Sequence, residues 1–213
     1  MSQEKKYIVE EIGFGALTHV PKMNVSQSLL RELAAHYDEY YRYLDTLYGK
    51  ISITPEKVVA ALGINHSGNR FPEKVKYIKL NEADKEIIDG FKCATLASLT
   101  KYILDMSVEG GGELEKILEN FCCLCPEVLL AAEDGKHGLP IHKPHVFHVD
   151  NIRQWDWATH LLSFLRKGIE ARRKGKKQSV DGCVFVLMLI YFHESKFPHL
   201  DAPEALGPPW VAH

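Results

Sequence analysis

The chain has 213 residues, 46% apolar and 25% charged, close to an average globular composition. That length folds as one ordinary domain, can bury roughly 70% of its unfolded surface, and excludes disorder or a fibrous repeat as the whole-chain architecture. A net charge of -2 gives no overall pull toward nucleic acid or membrane, so any such pull must be local.

The N-terminal MSQEKKYIVEE has no apolar stretch behind its charges and does not read as a signal peptide. Residues 12–21, IGFGALTHVP, combine two glycines with a proline. They read as a packed irregular turn, because a phosphate loop would need a preceding strand and a third glycine. From Ser26, a candidate N-cap, Leu29, Leu30, Leu33 and Tyr37 recur at helical spacing and predict a helix over 26–41. Tyr37, Tyr40, Tyr41 and Tyr43 crowd its end. A core and helix-exit role is the reading preferred there over base stacking.

Tyr48-Gly49-Lys50 reads as a turn, and Ile51-Ser52-Ile53 alternates as half of a small hairpin. Thr54-Pro55 then opens a helix over 55–62, with threonine as cap and proline at the first turn, and Gly63 stops it. Residues 65–72 form a polar loop, and helical patterns follow at 82–91, 95–106 and 113–125. A loop rich in Gly, Pro and His covers 133–144. A helix over 156–174 carries the stripe Trp157, Ala158, Leu161, Phe164, Leu165 and Ile169. The last helix, 181–194, is apolar all round and belongs at the centre of the domain. Its ten-residue apolar run, 183–192, is far short of the ~20 that span a bilayer. The expectation is a mainly α protein, a single compact helical domain over 1–213 with at most a minor β-hairpin.

Three constellations could carry chemistry. Cys122 and Cys125 form a C-x-x-C pair, followed by His137 and His142 at near zinc-finger spacing. Pro126 follows at once, and these cysteines end an apolar helical pattern where thiols pack as small hydrophobes, so metal ligation is not the expectation. With five cysteines, three of them crowded at 122–125, a disulfide framework is also a poor reading, and a reducing intracellular compartment fits better. Cys183 follows Asp181-Gly182 in a segment resembling, with two letters exchanged, the nucleophile segment of SUMO-type cysteine proteases. The exchange moves the thiol about 100° around a helix, and between the available His160 and Gln178 the only acid is Glu170, within a basic run, leaving a buried helix cysteine as the preferred reading.

The third constellation is a basic run of seven cations, Arg166, Lys167, Arg172, Arg173, Lys174, Lys176 and Lys177, opposed only by Glu170. It fits either a solvated helix end or a nuclear-import or nucleic-acid patch. The run itself holds few aromatic residues, so only a slight preference for single strands is expected of it. No Walker loop, His-Glu-x-x-His or Gly-x-Ser-x-Gly occurs, and no catalytic dyad is assigned.

Segments 12–21, 44–64 (LDTLYGKISITPEKVVAALGI), 147–169 (FHVDNIRQWDWATHLLSFLRKGI) and 180–196 (VDGCVFVLMLIYFHESK) together resemble the plant mobile domain. That is a transposon-associated family often labelled "aminotransferase-like". They are also similar to the related domain of unknown function found ahead of a SUMO-type protease domain in plant transposon-derived proteins. The resemblance covers nearly the whole chain. It implies a mostly helical, non-catalytic binding or scaffold domain of a nuclear plant protein tied to mobile elements or their silencing. It implies no cofactor, and partners among nuclear proteins or nucleic acid rather than membrane. Under it Cys183 is the packed cysteine of a Gly-Cys helix start. The label itself implies no pyridoxal chemistry, since no Schiff-base lysine pattern in an α/β setting is present. The ending at Pro209-Trp210-Val211-Ala212-His213 resembles the middle of a family motif, as a fragment would. The alternative is a cysteine peptidase using Cys183.

Overall fold

The computed structural model describes residues 2–11, 13–20, 25–70, 154–176, 180 and 182–195, and the isolated positions 81, 82, 85, 89, 101 and 105. The helices expected at 95–106 and 113–125 lie mostly outside these residues, as do Cys122, Cys125, His137, His142 and Lys177. Positions 82, 85, 89, 101 and 105 are helical.

Helix α1 spans Gln3–Glu11, and a 3-10 turn, Gly15–His19, follows. The sequence pattern gave no sign of α1, which has only a weakly apolar face. Phe14, between them, is buried and meets the Trp157 ring edge-on at 5.0 Å between centroids. The irregular glycine turn thus serves to place one core aromatic.

Helix α2, Gln27–His36, starts where expected, with the Ser26 hydroxyl accepting from the Leu29 amide at 3.4 Å. It ends five residues earlier than the spacing predicts. Tyr37–Asp38 is instead a strand, β1, paired antiparallel with β2, Tyr43–Thr46, which pairs in turn with β3, Gly49–Ser52. The physical reason lies in the tyrosines and Asp38. Aromatic side chains favour extended backbone, and the Asp38 carboxylate accepts from the Tyr40 and Tyr41 amides at 2.9 and 2.7 Å, stabilising a turn that competes with helix. The single hairpin expected is therefore a three-stranded antiparallel sheet. Its second turn is Leu47-Tyr48, one step before the predicted one, because Thr46 pairs with Gly49.

Helix α3, Pro55–Leu62, has the predicted boundaries: Thr54 caps it, and Gly63 closes it in the left-handed region at φ 67°. The polar loop beyond Gly63 docks on the segment leading into α4. Asn69 bridges to Trp155, and the Ala158 amide donates to the Asn65 carbonyl at 3.0 Å. Helix α4, Trp157–Arg173, is capped by Asp156, whose carboxylate accepts from the Thr159 amide at 3.0 Å. Helix α5, Phe185–Glu194, starts four residues later than predicted, because Gly182 sits at φ 117° against the backbone of α4.

Helix α5 packs on α2 and α3, and α3 packs on α4. Val186, Leu187, Met188 and Ile190 are buried, as are Trp157, Ala158, Leu161, Leu165 and Ile169 of the α4 stripe. Elsewhere on α5, Phe185, Leu189 and Tyr191 are partly buried against this core, and Phe192 is exposed. The core thus joins α2–α5, with the sheet appended through β2 against α2. Among the described residues the protein is mainly helical with a small antiparallel sheet.

Candidate nucleic-acid interface

Successive residues of an α-helix are about 100° apart. On that geometry Thr159, Ser163, Arg166, Lys167, Glu170, Arg173 and Lys174 share one broad face of α4, away from the Leu161–Leu165–Ile169 stripe. Arg172 falls in line with the buried stripe and is half-buried. Arg166, Lys167, Lys174 and Lys176 are exposed. The basic run therefore does not act as one block.

Arg173 is committed to the fold. Its guanidinium pairs with Glu39 and donates to the carbonyls of Ala35 and Tyr37, at 3.1 and 2.6 Å. Those carbonyls end α2, where the helix leaves acceptors unsatisfied and the dipole favours a cation. Lys174 pairs with Glu170 one turn back. That contact, with weaker help from Arg166 and Lys176, holds the Glu170 carboxyl below its ordinary range.

The Arg173 tie fastens the end of α4 to the turn between β1 and β2, and this turn carries the tyrosines. Tyr37 is core, as expected, but Tyr40 and Tyr41 are 82% and 71% exposed. Their rings meet edge-on at 4.9 Å, and Tyr41 stacks with Tyr43 at 6.3 Å and 21°. The Lys50 ammonium lies 4.1 Å from the Tyr43 ring centroid, and Tyr43 holds it above its ordinary pKa. Leu47 and Tyr48 are exposed at the next turn.

Arg42 enters from the same turn at φ 58°, the one non-glycine with positive φ among the described residues. With Tyr37, Pro55, Thr159, Leu162, Ser163 and Arg166 it lines a cleft of about 80 Å³. Burial pushes the Tyr37 phenol up, while Arg42 and Arg166 pull it down. The sequence reading missed Arg42, Lys50, Thr159 and Ser163. Their spacing carries no signal, since more than 100 residues separate the turn from α4.

Beside the cleft, His66 stands between two carboxylates. Its Nδ1 is 3.1 Å from Asp156 Oδ1 and its Nε2 is 3.5 Å from Glu56 Oε1. Glu56 is held below the usual carboxylate range, first by the Thr54 hydroxyl and its own amide, with His66 contributing less. The Thr159 hydroxyl reaches the same Nδ1 at 3.4 Å. His66 thus joins the starts of α3 and α4.

Cys183 is buried, and desolvation raises its thiol to about 11, an effect the nearby Val186 and Phe185 amides only reduce. A nucleophilic cysteine needs the opposite shift and access to solvent. Among the described residues no three His, Cys, Asp or Glu side chains group as a metal site. No described helix is long and apolar enough to cross a membrane.

A family model, described as a domain of unknown function (DUF8566), matches residues 1–188. The chain belongs to the DUF8566 family. The match takes in the tyrosine turn, the Arg42–Arg166 cleft, the basic run and the Gly182-Cys183 start of α5. No curated protein and no solved structure matches the chain.

Proposed function

We propose that this DUF8566 chain is a non-catalytic nucleic-acid-binding domain of a transposon-derived nuclear plant protein. The observation that carries the reading is the Arg173 tie, which fastens exposed tyrosines to the cationic end of α4. Lys and Arg contact phosphates and release counterions, while tyrosine faces stack on unpaired bases. The basic run alone gives only a slight preference for single strands; the tyrosine turn supplies the aromatic faces that the run lacks and strengthens it. The nuclear and transposon-derived parts of the reading are supported by the resemblance to the plant mobile domain. The Cys183 peptidase alternative has no support from the thiol's surroundings.

The test is binding of single-stranded and duplex oligonucleotides at several salt concentrations. Each phosphate contact should contribute a log–log salt slope of about -0.7 on single strands and -0.9 on duplex. Replacing Lys167, Lys174 and Lys176 by glutamine should flatten that slope. Replacing Tyr40 and Tyr41 by alanine should lower single-strand affinity alone, by about 1–3 kcal/mol per stacked base lost. A parent protein that binds neither form at low salt, yet loses nuclear accumulation on the glutamine changes, carries a plain import signal, and the binding reading is then wrong.

A further inference from the structure

Arg42 and Arg166 line one small cleft, from elements more than 100 residues apart. Neither guanidinium has an ion-pair partner among the described residues, unlike Arg173 and Lys174 beside them. The rest of the lining includes three hydroxyl residues, Tyr37, Thr159 and Ser163. Arginines are charged at every physiological pH and present several donors in a fixed fork, which suits a tetrahedral oxyanion. About 80 Å³ is several times what one water molecule requires and is small for a nucleoside. Arg42 also holds a left-handed backbone conformation, which is unfavourable for a side-chain-bearing residue, and that conformation is held by ladder-like bonds. Its amide donates to Asp38 and its carbonyl accepts from Ile53, both at 2.8 Å.

We infer that this cleft is a discrete binding site for a phosphate dianion. The phosphate is either free or the terminal monoester of a nucleic-acid strand. Two guanidinium charges match a dianion, whereas an internal phosphodiester carries only one negative charge. The cleft shares the face of α4 that bears Lys167 and Lys174, so a strand lying along those cations has its end within reach. The terminal-phosphate source rests on the nucleic-acid reading; the free-phosphate source does not.

Inorganic phosphate is titrated into the full chain in a phosphate-free buffer and followed by calorimetry and ³¹P NMR. Saturable binding is expected, weakened about tenfold or more in Arg42→Gln and in Arg166→Gln, each of which removes a charge-assisted contact. Ser163→Ala should weaken it by a few-fold and leave the fold intact, as judged by its thermal melt. Competition between oligonucleotides with a 5′-phosphate and with a 5′-hydroxyl then separates the sources. A preference for the phosphorylated end that Arg42→Gln abolishes assigns the terminal monoester, and equal competition assigns the free anion. Absence of saturable phosphate binding, or binding indifferent to both arginine variants, overturns the inference. Salt-dependent binding of the 5′-hydroxyl strand reports on the nucleic-acid reading separately.

Discussion

Gly182→Ala tests the packing between the start of α5 and α4. Two independent costs meet at this residue. Its φ of 117° lies where L side chains are rarely found, and such conformations cost about 1–3 kcal/mol. An added Cβ would also stand 2.7 Å from the Leu165 Cα and 3.1 Å from its amide nitrogen. Those are backbone atoms in the middle of a 17-residue helix, so no rotamer change relieves the clash. Separating the two elements would open gaps around Leu165, Val186 and Leu187, all fully buried, and overpacking of this kind costs about 1–3 kcal/mol. The two together predict a loss of about 2–6 kcal/mol. Urea and thermal unfolding would measure it, with a Tm drop of about 2–4 °C per kcal/mol for a chain of this size. An alanine variant within about 0.5 kcal/mol of the parent, the ordinary scatter of a surface change, would refute the close approach and the reason given for the late start of α5.

Arg173→Gln should cost about 1–2 kcal/mol in unfolding experiments, since its contacts are charge-assisted but partly exposed. Cys183 should resist alkylation at pH 8 in the folded protein and react on unfolding, as peptide mapping by mass spectrometry would show. Because its folded pKa, about 11, exceeds the ordinary 9.0, the stability it contributes is complete below pH 9 and is lost as pH rises toward 11. Cys183→Ala should therefore show a shallower alkaline decline, and the raised Tyr37 phenol leaves a remaining slope of the same sign. Leu187→Asp places an unpaired carboxylate at a fully buried position and should lower stability by about 3–5 kcal/mol in the same unfolding assay; an unchanged melt would show that α5 is not central.

Local chemistry was legible in the sequence wherever one segment contains all the determinants. Ser26, Thr54-Pro55 and Gly63 mark helix ends because a cap acts within a single turn, and the structure sets α2 and α3 against those marks. The apolar stripe of α4 and the apolar character of α5 follow from side-chain spacing alone, and both contribute to the core. The end of α2 was not legible from that spacing, because Tyr37 fits a helical repeat as well as a strand. Pairing with Leu44 and the Asp38 turn decide in favour of the strand. Likewise Gly182 reads as an ordinary residue of the predicted 181–194 helix until the backbone of α4 lies 2.7 Å from where its Cβ would stand.

For the candidate site the division is sharper. Composition identified a dense run of cations, which is a one-dimensional property. Which of them are available to a ligand depends on partners distant in the chain: Glu39 takes Arg173, while Arg42 joins Arg166 across a cleft. The sequence by itself determined the caps, the helical periodicity and the charge of the α4 end, because these depend on neighbours within a few residues. Only the tertiary structure decided that the tyrosines form an exposed turn fastened to that end, and that two arginines meet beside three hydroxyl residues. Charges and hydroxyls act through space, and folding alone sets the distances between residues 37–42 and 159–173.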